Sequence, residues 1–183
     1  MTPINFTGSF IKNVTIPRLT NNGKMTPEKV SLVKLDKNDK LDVETLAKTA
    51  HYWESIKSGF APDIYCDALK TKNYPDVAQE HYLALTTQNS NFEAVEPNKI
   101  LGLALYFEKK APANEIAWLQ SNPSTNHESG VRTYKKIGTT LVDYMKGLFK
   151  KPLYVQSADN AIPFYQKQGF KSLDTPSKMI YEI

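Results

Sequence analysis

The eight residues Ile100-Leu-Gly-Leu-Ala-Leu-Tyr-Phe107 constrain this chain more than any other stretch. A strand that alternates apolar and polar residues keeps one face in water. This one does not alternate, so both of its faces need cover. Lys99 to Glu108 is therefore expected as a central strand in a sheet with helices on both sides. Gly102 within it predicts close approach by another piece of backbone. A chain of 183 residues holds one such domain and a core that needs no staples.

The neighbouring segments supply the rest of the layers. Lys29 to Leu35, rich in Val and Leu, reads as a strand ended by Asp36-Lys37-Asn38-Asp39. Val43, Leu46, Ala47, Ala50, Trp53 and Ile56 then share one helical face, with Asp42 as the expected N-cap and Ser58-Gly59 as the end. A shorter helix starts at Pro62-Asp63, with Ile64, Tyr65, Ala68 and Leu69 inward. His81 to Thr87 and Glu115 to Ser121 read as strands, so the order is β, α, α, β, β, β. A polar loop over residues 122–136 leads into a helix with Ile137, Leu141, Val142, Met145, Leu148 and Phe149 on one stripe. After the strand Leu153 to Gln156, Asn160 is expected to cap a further helix. Pro163 falls in its first turn and Gly169 at its C-terminal cap. Phe170 to Leu173 and Met179 to Ile183 are expected as closing strands. Residues 1–28 show no sustained period. They are expected as an N-terminal extension, an extra strand or an arm over the core, on one domain spanning 29–183.

Composition narrows the function classes. Hydrophobic content of 40% with 23% charged residues is ordinary for a globular chain, and every apolar run is far too short to span a bilayer. The single cysteine, Cys66, excludes an intrachain disulfide and a cysteine-based zinc site, and no metal site is expected. The N-terminus lacks a basic segment followed by an apolar one, so a cytoplasmic location is expected and a membrane partner is not. The net charge of +4 is unevenly spread. Eight cations against two acids lie between Arg132 and Lys171, which favours an anionic partner. Most of these lysines read as a solvated face. With two arginines and no basic–aromatic signature, nucleic acid is not expected as a partner.

Lys135 and Lys136 stand apart because Ile137-Gly138-Thr139 opens a helix directly after them. Such an opening gathers free amide N–H groups and the positive end of the helix dipole at one spot, and glycine lets an anion come close. Asn160-Ala-Ile-Pro-Phe-Tyr165-Gln-Lys-Gln-Gly169-Phe170 follows downstream. Together these segments resemble the GNAT superfamily of N-acyltransferases, where the second reads Asn-x-x-Ala/Pro-x-x-Phe-Tyr-x-x-x-Gly-Phe. The resemblance is specific over Ile137 to Phe170 and topological over the rest of 29–183. It implies an α/β (α+β) fold with a mixed, largely antiparallel central sheet of about six or seven strands flanked by helices.

The resemblance also implies an activity. Members transfer an acetyl group from acetyl-CoA (coenzyme A) to an amine by direct attack on the thioester. Glu115 to Ser121 matches the family strand that splays from its neighbour, with Leu119 and Ser121 at the positions that bond the thioester carbonyl and the pantetheine arm. Lys136, Ile137, Gly138 and Thr139 match the loop that wraps the pyrophosphate, and Lys135 adds charge. The family loop reads Gln/Arg-x-x-Gly-x-Gly/Ala, which puts Thr133 at its first position and Lys136 at its first glycine. Asn160 matches an asparagine on the cofactor arm, and Tyr165 the tyrosine that protonates the leaving thiolate. The residues themselves offer four candidates for the base, Glu115, Glu108, His127 and Glu128, of which Glu115 is taken into the catalytic set with Tyr165. Expected partners are a small-molecule or peptide amine and a second copy of the chain in a homodimer. The alternative is a module of the same fold that binds coenzyme A or a protein without turnover, in which Tyr165 only lines the groove.

Overall fold

The computed structural model describes residues 9–70, 74–92, 94–110, 112–125, 132–148 and 150–183. In chain order the elements are β1 (Ser9–Leu19), β2 (Met25–Leu35), α1 (Lys40–Ile56), α2 (Ala61–Leu69), β3 (Val77–Thr86), β4 (Ile100–Lys109), β5 (Asn114–Ser121), α3 (Ile137–Leu148), β6 (Leu153–Gln156), α4 (Ile162–Lys167), β7 (Lys171–Ser172) and β8 (Lys178–Tyr181). The described strands form one sheet in the order β1-β2-β3-β4-β5-β6-β8-β7. Every pair is antiparallel except β5 with β6.

The sheet is thus mixed and largely antiparallel, with eight strands rather than six or seven. The additional strand is β1, which pairs with β2 from Ser9↔Lys34 to Leu19↔Met25. From Ser9 onward the N-terminal segment is therefore built into the sheet as an edge strand, and β2 itself begins before residue 29.

Burial of β4 runs unbroken from Ile100 to Phe107, which makes it the double-faced strand expected from its composition. Leu32, Leu83, Leu85 and Tyr106 pack on one face with Ile137, Leu141, Val142 and Met145 of α3. Val33, Leu35, Leu103 and Leu105 pack on the other with Leu46, Trp53, Ile64 and Ala68 of α1 and α2. Successive residues of a strand point to opposite faces, so each helical layer covers every second side chain.

Three local expectations are corrected. Asp39, not Asp42, caps α1; its carboxylate accepts the amides of Leu41 (2.8 Å) and Asp42 (3.1 Å). Asp42 is buried and accepts the Asp36 amide at 2.7 Å, so it ties the preceding turn to the helix. Ile56 ends α1 and Leu69 ends α2 exposed rather than inward, whereas Ile64 and Ala68 are buried and Tyr65 packs partly buried against the same core. Phe149 lies outside the described residues.

Gly102 answers to side chains rather than to backbone. A Cβ there would lie 2.5 Å from Ile137 Cγ2 and 3.0 Å from Leu141 Cδ1, while the nearest main-chain atom, Gln120 O, is 3.5 Å away. The missing side chain lets the first turns of α3 sit directly on β4. Among the described residues no helix is long and apolar enough to cross a membrane. Gly102→Ala is expected to destabilise the fold by about 1–3 kcal/mol through overpacking. Urea unfolding should show a lower midpoint at unchanged slope; an unchanged midpoint would mean that α3 yields freely.

Candidate functional site

The site begins where β5 runs out of partner. Parallel pairing with β6 covers only Asn114, Ile116 and the residue between them. On the β4 side the register steps from Tyr106↔Ile116 to Leu105↔Trp118, which leaves Ala117 as a bulge. The bulge changes the phase of the strand. The Asn114 amide donates to Pro152 O, toward β6, whereas the Asn122 amide donates to Leu101 O, toward β4. By alternation Trp118 and Gln120 also turn their amides toward β4, so Leu119 and Ser121 turn theirs to the open side. The resemblance calls for a splayed strand with these two residues facing the gap, and this backbone has that form.

The N-terminus of α3 faces the same gap. Thr140 N donates to Lys136 O at 2.9 Å, so Lys136 is the N-cap. The amides of Ile137, Gly138 and Thr139 then have no intrahelical acceptor, and no described side chain caps them. Lys136 has φ +65°, the left-handed region that favours glycine. For a residue with a Cβ this costs about 1–2 kcal/mol. The position is the one where the family loop carries its first glycine, so lysine here takes up a glycine conformation. A Cβ on Gly138 would meet the Phe164 ring at 3.1 Å, so that glycine lets α3 and α4 touch.

The third wall is α4. Its C-terminus closes as a Schellman motif: Phe170 N donates to Tyr165 O, and Gly169 N to Gln166 O, with Gly169 at φ +85°. The Tyr165 and Phe170 rings pack edge to face, with centroids 5.3 Å apart. The spacing Tyr-x-x-x-Gly-Phe is therefore what this turn requires. Lys146 donates to Gln168 O and lies over the Tyr181 ring, which clamps α4 to α3 and β8. Burial pushes the Lys146 ammonium below its ordinary pKa. Asn160 does not cap α4. It lies in a short turn, Asp159–Ala161, and the N-cap is Ala161 without a side-chain bond.

These walls enclose a cavity of about 480 Å³. Of the residues assigned to the site, Tyr165, Leu119, Ser121, Lys136, Ile137, Gly138, Thr139 and Asn160 all line it. Tyr165 is 5% exposed, and among the described residues its hydroxyl has no hydrogen-bond partner. Burial raises its pKa well above the ordinary phenol value, so it stays protonated. Arg132, Tyr134 and Phe164 also line the cavity, although the sequence assigned them no role. Arg132 was legible as a cation one position from the family's loop. Phe164 was legible only once Gly138 was seen to face it.

Two assigned residues are not at the cavity. Lys135 is exposed beside it. Glu115 lies near the other end of β5, opposite Phe107, with its carboxylate 2.5 Å from Lys109 Nζ. Glu108, an alternative base, faces His81 at 3.6 Å and sits about 20 Å along β4 from Gly102 at ordinary strand rise. His127 and Glu128 lie outside the described residues. A second cavity, of about 490 Å³, opens at that far end of the sheet. Its one glutamate is already engaged: Glu80 accepts from the Tyr82 hydroxyl at 2.7 Å and pairs with Lys37 at 3.1 Å. The first cavity has the unpaired amides, the cations and the free phenol, and is therefore the candidate site.

Comparison with family models, with curated proteins and with solved structures finds no match to this chain. Lys136→Gly is expected to move two readouts in opposite directions. Relief of the left-handed strain, less the entropy of glycine, should raise stability by about 0.5–1 kcal/mol. Loss of the cation should weaken pyrophosphate binding. Thermal unfolding and a pyrophosphate titration check the pair; a lower melting temperature would contradict the strain argument.

Proposed function

We propose that this chain is an N-acyltransferase of the GNAT type, with acetyl-CoA in the cavity between β5, α3 and α4 and an amine as acceptor. One observation carries the reading. An unpaired strand edge, an uncapped helix N-terminus flanked by cations, and a buried unpartnered tyrosine meet at a single cavity. The donor set suits the group. The α3 amides with Lys136 and Arg132 match a diphosphate, and the open amides of Leu119 and Ser121 match an extended amide-bearing arm.

Bound coenzyme A would supply an acyl group already activated as a thioester. The chain's own residues then divide the work. Lys136, Arg132 and the first amides of α3 hold the diphosphate. Asn160 and the β5 edge would hold the arm, and an outward amide there would favour negative charge developing on the acyl oxygen. Holding the two reactants together removes much of the entropic barrier. Tyr165, which lines the cavity, would stand as the donor to the leaving sulfur. A thiol has a pKa of roughly 8.5, below that of the raised phenol, so Tyr165 serves better as a hydrogen-bond donor to the thiolate than as a source of a full proton.

A second reading has its own support. The described lining contains no carboxylate and no imidazole to take the proton of the amine. This favours a module that binds coenzyme A without turnover.

Calorimetry should give saturable binding of acetyl-CoA. Gly138→Glu should abolish it, because the new side chain brings bulk toward Phe164 and negative charge to the helix N-terminus. No binding of the native protein at millimolar cofactor would sink both readings. With a panel of amines the enzyme should release free thiol, and Tyr165→Phe should lower kcat on the order of 10²-fold at little change in cofactor affinity. Equal turnover removes Tyr165 from that role, and binding without thiol release from any amine leaves the module.

A further inference from the structure

The loop that enters α3 is held from outside the cavity by the first two strands. Leu19 N donates to Thr133 O at 2.7 Å, and Lys135 N donates to Pro17 O at 2.9 Å. These bonds flank an antiparallel bridge between Arg18 and Tyr134. The two side chains therefore stand on the same side, in the closer kind of cross-strand pair. The Arg18 guanidinium lies 5.7 Å from the centre of the Tyr134 ring. Glu28, across from Ile16 on β2, joins them: one carboxylate oxygen pairs with Arg18 at 2.8 Å, and the other accepts the Tyr134 hydroxyl at 3.1 Å. Tyr134 in turn lines the cavity.

Placement and exposure indicate what this network does. Arg18 is about half exposed and Glu28 a quarter exposed, so their ion pair contributes little to stability. Its geometric consequence is larger. It fixes the carboxylate that fixes Tyr134, two residues before the left-handed Lys136 and three before the first turn of α3. A strained residue persists only where both sides are held. Packing of Ile137 against β4 holds one side, and the β1–β2 hairpin holds the other.

We propose that the hairpin is a working part of the anion subsite, with Glu28 as a positioning residue. Through Tyr134 it holds the 132–136 loop so that Lys136 and the α3 amides face the cavity. The inference rests on the reading of the cavity as a coenzyme A site, and it gives the N-terminal strands a function beyond covering the sheet.

The test uses the full chain and two readouts. Calorimetric affinity for coenzyme A is measured for the native protein, Glu28→Ala, Tyr134→Phe and Glu28→Gln. Amide hydrogen exchange of Lys135 and Leu19 is followed in the same proteins without ligand, with melting temperatures as a check on folding. Loss of one held hydrogen bond is expected to weaken binding about tenfold in Glu28→Ala and Tyr134→Phe, and to speed exchange at both amides by a similar factor. Glu28→Gln keeps an acceptor and should restore most of both. Native binding with both disruptive variants within twofold overturns the inference and leaves the cavity reading intact. If the native protein binds no coenzyme A, the cavity reading fails, and exchange alone then decides whether the hairpin holds the loop: faster exchange retains that part, and unchanged exchange removes it.

Discussion

An inner strand that loses its partner partway along must find other company for its amides, since unpaired main-chain groups inside a fold are costly. In this chain β5 is that strand. Beyond Ile116 its edge toward β6 is open, and the bulge at Ala117 turns the amides of Leu119 and Ser121 into the opening. The gap between two parallel strands then has to be roofed, and α3 and α4 are the roof. The cavity is what remains between the roof and the strand edge.

The roof is held by contacts that look like a signature when read as letters. Gly102 seats the start of α3 on β4, and Gly138 seats α3 against Phe164. Gln168 bonds Thr139 Oγ1 at 3.2 Å, and Lys146 closes on the carbonyl of the same Gln168. Gly169 and Phe170 terminate α4 and bury the Tyr165 ring. Most of the motif from Asn160 to Phe170 therefore has a structural reason. What packing leaves unexplained is the Tyr165 hydroxyl, on a residue that lines the cavity and with no hydrogen bond to a described residue.

Charge follows the same division. Of the eight cations between Arg132 and Lys171, only Arg132 and Lys136 line the cavity. Lys146 clamps α4, Lys151 donates to the carbonyls of Lys109 and Lys110, and Lys171 pairs with Glu182. The local basic excess is thus mostly scaffold and solvated face. In the proposed site these two cations and the α3 terminus lie at the same cavity, so their fields add there.

The uninterrupted apolar run of β4, the helical stripes of α1 and α3, and the Pro and Gly punctuation of α4 were legible in the sequence, because each rests on a local period or a local backbone demand. Eight of the ten assigned site residues, all eight assigned through the family resemblance, line one cavity, which gives them a common place in the fold. The cap of α1, the exposure of Leu69 and the partner of Gly102 were not legible, because each depends on what lies across the fold. Glu115 shows the limit most clearly. It sits on the right strand, but the bulge two residues later and the pull of Lys109 place it away from the cavity. The N-terminal segment had no period to read, and pairing with β2 and with the loop before α3 gave it a place. The sequence by itself determined the layers and the helix-terminating turns. Tertiary structure decided which amides were left open and which side chains were already spent on ion pairs, since both depend on neighbours tens of residues away.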